Sequence, residues 1–368
     1  MKYIKELEGL RGIMALWVVA GHAFAAMPLL SHKIPANLLN TKAVDVFIML
    51  SGFVIFFMLD NKRQSYSTYL TQRFFRIFPI YLVALFASLL TLDFSMYVLT
   101  HSPEAPATLS RISFINYYYN SPVMNLASHI FLLQGIVPGK MLEGSSFTIL
   151  GQAWSVSVEW QFYLIAPFIF AMLNGLYRTR NFLIVIFLLS VFFVCGKFLD
   201  KGFLGHNLLA FSVGYLTFYF YKNIAHKLNK TQLHITVSVF ILMSIVAMKK
   251  DCIPFVIWGV CFYFVLIKEN FGSESFICNM LNSLLVSHLG KISYSVYMVH
   301  MLVVYIMMYF MLAGASTVPL YMYILFPVAC IAVSVFISSL TYQYVEKPMI
   351  KFGKKLTAKT STETSRAG

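Results

Sequence analysis

Asn181-Phe-Leu-Ile-Val-Ile-Phe-Leu-Leu-Ser-Val-Phe-Phe-Val-Cys-Gly-Lys-Phe198 carries no charged side chain from Phe182 to Gly196. As a helix rising about 1.5 Å per residue, such a run covers roughly 27 Å, close to the ~30 Å hydrocarbon core of a bilayer. Runs of this kind recur along the 368 residues at about 12–30, 43–59, 77–99, 150–173, 181–198, 203–221, 234–249, 252–267, 290–313 and 319–343. A composition of 59% apolar and 11% charged residues, with a mean hydropathy of +0.74, excludes a water-soluble fold. The expected fold is all-α, a polytopic integral membrane helical bundle of about ten transmembrane helices.

The formal net charge is +14, which in a soluble chain would suggest a nucleic-acid partner. Its placement points to the membrane instead. Sorting Lys and Arg by alternate connections puts 20 of the 28 on one side, Lys2, Lys5, Arg11, Lys62, Arg63, Arg73 and Arg76 among them. The other eight are Lys33, Lys42, Arg111, Lys140, Lys197, Lys201, Lys249 and Lys250. Positive charge is retained in the cytoplasm, so both termini are expected there, with no nucleic-acid partner.

The first span reads as an internal anchor rather than a cleaved signal. Residues 1–350 form the expected membrane domain and 351–368 a polar cytoplasmic tail, disordered because it is small and polar. Spans seven and eight almost touch through Lys249, Lys250 and Asp251, so they read either as two crossings or as one re-entrant pair. The single long connection, about 50 residues between spans three and four, lies on the outer face. It holds Phe114-Ile-Asn-Tyr-Tyr-Tyr-Asn-Ser-Pro122 and a short amphipathic stretch near Asn125 to Ile136. The five cysteines show no CxxC pairing and no histidine cluster at ligand spacing; they read as packing residues, and no metal is expected.

Ionisable groups inside spans cost on the order of 2.5–3.5 kcal/mol and call for a reason. His22 follows Arg11 by eleven residues, three helical turns, so the two share a face that links the cytoplasmic edge to mid-bilayer. Glu159, in Trp154-Ser-Val-Ser-Val-Glu-Trp-Gln-Phe-Tyr163, also falls near mid-depth, with Ser155 one turn earlier on its face. Glu159 is the expected partner of His22; the alternative is an interhelical bond that only joins helices. His300, after Ser293-Tyr-Ser-Val-Tyr297, fits packing or catalysis. Asp45 fits an acceptor contact or a helix cap. Arg73 and Arg76, at i and i+3, suit a polyanionic phosphate, although cytoplasmic topology alone also places arginines there.

Taken together, these motifs resemble the membrane acyltransferase 3 family. The carrying residues are Glu8-Gly-Leu-Arg11-Gly with His22, Val44-Asp45-Val-Phe-Ile-Met-Leu-Ser51-Gly52-Phe53, Arg73-Phe-Phe-Arg76, Trp154-Ser-Val-Ser-Val-Glu159 with Phe162-Tyr163, Ile292-Ser293-Tyr-Ser-Val-Tyr297 with His300, and Val345-Glu346-Lys-Pro348. They stand in the family's order over nearly the whole chain. Glu8 replaces a usual Asp, and Ala43 a common Gly.

The resemblance implies an enzyme of the bacterial inner membrane that moves an acyl group, usually acetyl, from cytoplasmic acyl-coenzyme A to a hydroxyl of an envelope carbohydrate. O-antigen, exopolysaccharide and other lipid-linked glycans are the usual acceptors. It ties Arg11 and His22 to catalysis and Arg73 and Arg76 to the donor, with acyl-coenzyme A as a co-substrate and no bound cofactor. The combined expectation is direct transfer, His22 acting as general base oriented by Glu159, with Arg11, Arg73 and Arg76 holding the donor phosphates. Acceptor contacts or structural polar roles fall to Asp45, Ser155 and His300, and membrane lipid surrounds the whole. A two-step path through acylated His22 is the chemical alternative. The competing class is a secondary transporter or flippase for a glycolipid or organic anion, which would share the layout but leave no covalent label.

Overall fold

A computed structural model of the chain describes residues 4–28, 41–62, 64–175 and 177–364; the side chains of Thr41, Arg178 and 359–364 lie outside that description. Lys2, Lys33, Arg63 and Arg366 of the charge sorting therefore fall outside the described residues or their side chains, as does that of Lys359. Fifteen helices follow in order: α1 (Lys5–Phe24), α2 (Thr41–Asn61), α3 (Tyr66–Leu90), α4 (Leu92–His101), α5 (Thr108–Asn120), α6 (Pro122–Ile130), α7 (Trp154–Leu173), α8 (Arg178–Gly196), α9 (Leu208–Asn223), α10 (Lys230–Met248), α11 (Ile253–Phe271), α12 (Phe276–Leu281), α13 (Leu284–Met311), α14 (Met322–Thr341) and α15 (Lys347–Thr364). No strand occurs among the described residues.

Eight of these helices, α2, α3, α7, α8, α10, α11, α13 and α14, are long and apolar enough to cross a membrane. The chain is an all-α polytopic membrane bundle. Each of the ten expected segments meets a helix. Two lie outside the eight: α9 has only 16 residues, and α1 bears Lys5, Glu6, Glu8 and Arg11 in its first turns. The ambiguous seventh and eighth segments are two separate helices of 19 residues each, joined by a turn at Lys249–Asp251.

Close approach of helix backbones fixes the frame. A Cβ on Gly12 of α1 would lie 2.6 Å from the Gly290 backbone nitrogen of α13, and one on Gly290 would lie 2.2 Å from the Glu8 carbonyl oxygen. Without a hydrophobic drive between helices in lipid, such small-residue contacts bring helices together by packing. Polar contacts then sort by end. Lys268 Nζ reaches Glu6 at 3.0 Å and Lys222 Nζ reaches Asp60 at 2.5 Å, all at one end, while Lys42 pairs with Asp251 at the other. The alternation of loops read from the sequence groups these residues in the same way.

Boundaries shift by several residues at several helices, α1 running over Lys5–Phe24 rather than from 12, and two of the shifts have a local cause. The third segment begins earlier, because Ser65 accepts a bond from the Thr68 amide at 3.2 Å and starts α3 there; the helix breaks at Thr91 and α4 follows. Arg73 and Arg76 thus lie inside α3, not ahead of it. The tail expected to be disordered from 351 is helical to Thr364. Phe352, Gly353 and Thr357 recur on one face and pack on α3. The Phe352 and Phe75 rings are 5.2 Å apart, and Gln72 donates to Thr357 Oγ1 at 3.0 Å. An amphipathic stripe, not composition, decides that segment.

Candidate active site

Helix α1 ends at Phe24, two residues after His22, whereas α13 continues for eleven residues beyond His300. The early end of α1 opens a space that the long connection folds over. A cavity of about 250 Å³ lies there, lined by His22, Arg111, Gln152, Trp154, Tyr297 and Tyr305 among others. The long connection folds into a roof: α5 lays Arg111 inward, where it is 9% exposed.

Among the neighbours of His22 are Arg111 and His300. Arg111 Nη2 lies 3.4 Å from His22 Nδ1 and 3.4 Å from its carbonyl oxygen, and the two imidazole rings are 5.1 Å apart. Arginine only donates, so His22 Nδ1 accepts and the proton of the neutral ring sits on Nε2. His300 is fully buried; its Nδ1 donates to the Tyr297 carbonyl oxygen at 2.8 Å, leaving the Nε2 lone pair without a partner among the described residues.

Glu159 does not meet His22. It accepts from Ser51 Oγ at 2.9 Å and from the Tyr163 hydroxyl on the same oxygen, because the rotation of α7 aims it at α2 and its own next turn. It lines a second, smaller cavity of about 60 Å³ with Arg11, Arg76, Ser51, Ser155 and Tyr294. Arg11 and Arg76 are thereby brought together, with a carboxylate between hydroxyls beside them. Arg73 stands apart: its guanidinium contacts Met58 Sδ at 3.4 Å and lies 5.7 Å from the Tyr163 ring centre. The expected arginine pair is therefore split between a cavity wall and an aromatic face.

Val44 and Tyr297 line both cavities. The Tyr297 hydroxyl is held at 2.6 Å from Ser155 Oγ and donates to the Gln152 carbonyl oxygen at 2.9 Å. Ser155 is thus the anchor of this partition as well as a wall of the arginine cavity. Asp45, half-buried near the start of α2, has Lys42 and Lys201 as charged neighbours. Lys201, in the connection between α8 and α9, lies 4.6 Å above the Trp154 ring and lines the His22 cavity; burial pulls it below the ordinary lysine range, with Asp45 opposing.

Arg111, Tyr297 and Lys201 were not singled out from sequence. Only Tyr297 carried a signal, its place in the Ser293–Tyr297 motif; a lone arginine in a long polar connection carries none.

A family model described as an acyltransferase domain matches residues 4–343. No curated protein matches, and no solved structure matches.

Proposed function

We propose, because the chain belongs to the membrane acyltransferase 3 family and is an integral membrane acyltransferase, that it transfers an acyl group, acetyl foremost, from cytoplasmic acyl-coenzyme A to a hydroxyl of an envelope carbohydrate. The acceptor class is an O-antigen, an exopolysaccharide or another lipid-linked glycan. The setting is the bacterial inner membrane, with ten crossings and both termini cytoplasmic, α1 and α9 completing the set.

One observation carries this reading. A basic cavity with Arg11 and Arg76 and a cavity holding His22 lie on either side of one wall, Val44 and Tyr297. Guanidinium groups suit the phosphates of the nucleotide part of coenzyme A, with Arg73 close behind on Tyr163. The thioester arm then extends toward Tyr297, and the acceptor hydroxyl enters the larger cavity under the α5 roof, past Lys201 and Asp45. A space of about 250 Å³ suits the end of a glycan rather than its length.

His22 is the general base; it lines the cavity, and His300 does not. Arg111 and His300 are among its neighbours, while Glu159 bonds Ser51 and Tyr163 instead, so Glu159 moves from orienting the base to shaping the donor side. Direct transfer remains the first expectation. The test is incubation of membranes containing the protein with acyl-labelled acetyl-coenzyme A and envelope polysaccharide. Ester-linked label on the glycan, lost in His22→Ala at unchanged protein level, is the expected result; absence of covalent label overturns it and favours a transporter.

A further inference from the structure

We propose that Arg111 is the oxyanion-binding catalytic residue of the transfer step, an assignment that rests on the acyltransferase reading above. Among the described residues no carboxylate pairs with Arg111. Residues 29–40, outside the description, contain no Asp or Glu. Its described contacts are the two bonds to His22 and the face of Tyr305, whose ring centre is 5.9 Å away.

A buried cation without a counter-ion is costly, and a structural role would normally pair it. Both bonds to His22, at 3.4 Å, are long against the usual 2.7–3.2 Å range for N–H donors. Only Nη2 takes part in them, and a guanidinium carries five N–H groups. Arg111 is therefore a weakly held cation with spare donors, lining a cavity beside the base. Its missing partner is the negative charge that forms during acyl transfer.

The step balances as follows. The acceptor hydroxyl oxygen bonds to the thioester carbonyl carbon, its proton passes to His22 Nδ1, and the carbonyl π pair becomes a lone pair on the carbonyl oxygen. Arg111 leaves Nδ1 for that oxygen, which frees the basic lone pair as the charge appears. Collapse restores the C=O bond and breaks C–S; the thiolate takes the proton from His22, giving free coenzyme A and the ester. Base and anion donor are already adjacent, which is the geometry that attack on a carbonyl requires.

The experiment compares wild type with Arg111→Gln, Arg111→Met and Arg111→Lys in detergent, using labelled acetyl-coenzyme A with envelope polysaccharide, and records thermal unfolding of each. Loss of an oxyanion donor lowers kcat by about 10²- to 10³-fold in Gln and Met. The KM for acetyl-coenzyme A is expected to stay within about threefold. Melting temperature is expected to hold or rise, because a buried charge has gone. Lys, which keeps a charge, recovers part of the rate. A kcat within about threefold of wild type in Arg111→Gln overturns the assignment, and so do Gln and Met variants that melt well below wild type, which would mark a structural cation. Wild-type protein that makes no labelled ester overturns the acyltransferase reading itself.

Discussion

The imidazole rings of His22 and His300 lie 5.1 Å apart and tilted by 43°, tying the last turn of α1 to the middle of α13. Of the two, His22 faces the cavity, while His300 spends Nδ1–H on the Tyr297 carbonyl. His22→Ala is expected to lower transfer by about 10²-fold or more, the usual worth of a positioned base. His300→Asn, whose amide can still donate to that carbonyl, is expected to keep activity within about tenfold. Rates of label transfer on both variants check the division; equal losses would give His300 a share of the chemistry.

Glu159 offers one oxygen to two hydroxyl donors, Ser51 and Tyr163. An amide oxygen still accepts from both, though less strongly than a carboxylate, so Glu159→Gln is expected to cost less stability than Glu159→Ala, which strands two donors and costs about 1–3 kcal/mol. Thermal unfolding in detergent distinguishes them. Because Glu159 is not against His22, Gln is expected to alter the KM for acetyl-coenzyme A more than kcat; a selective fall in kcat would restore the catalytic pairing.

Tyr297 stands in the wall between the cavities. Tyr297→Phe keeps the ring and loses the bonds to Ser155 and Gln152, a cost of about 1–3 kcal/mol in stability. Tyr297→Ala opens the wall, so release of free thiol from acetyl-coenzyme A in the absence of any acceptor is expected to rise above wild type. A thiol assay without polysaccharide reads this, and an unchanged background would mean that the wall does not control water.

Gly290→Ala places a methyl group 2.2 Å from the Glu8 carbonyl oxygen, which no rotamer relieves. Separation of α1 from α13 is expected to cost at least about 1–3 kcal/mol and to pull His22 from His300. Melting temperature and transfer rate should fall together, unlike the opposed pair expected for Arg111.

Apolar run length made the bundle legible, since each of the ten runs meets a helix. His22, His300 and Glu159 were legible as polar groups out of place, and Arg11 through its three-turn spacing from His22. Their pairing was not, because the rotation of α7 about its axis depends on all its neighbours, and its polar residues divide between two opposite faces, Ser155 with Glu159 and Ser157 with Gln161, so no single stripe orients it. Arg111 was hidden for another reason: in sequence it is one basic residue of a polar connection, and only the folding of α5 over the end of α1 turns it inward. The helicity of the last segment does not show in its composition because Phe352, Gly353 and Thr357 form a face only against α3.

The wall shared by the two cavities carries a burden unrelated to sugar chemistry. On the route proposed above, a thioester arm passes from one face of an energised membrane to a hydroxyl on the other, and a gap left beside it would discharge the proton gradient stored there. With Val44 and Tyr297 as the only residues common to both chambers among the described residues, leak and turnover on that route would both depend on this one wall. Faster acylation obtained by loosening Tyr297 would then be accompanied by membrane depolarisation.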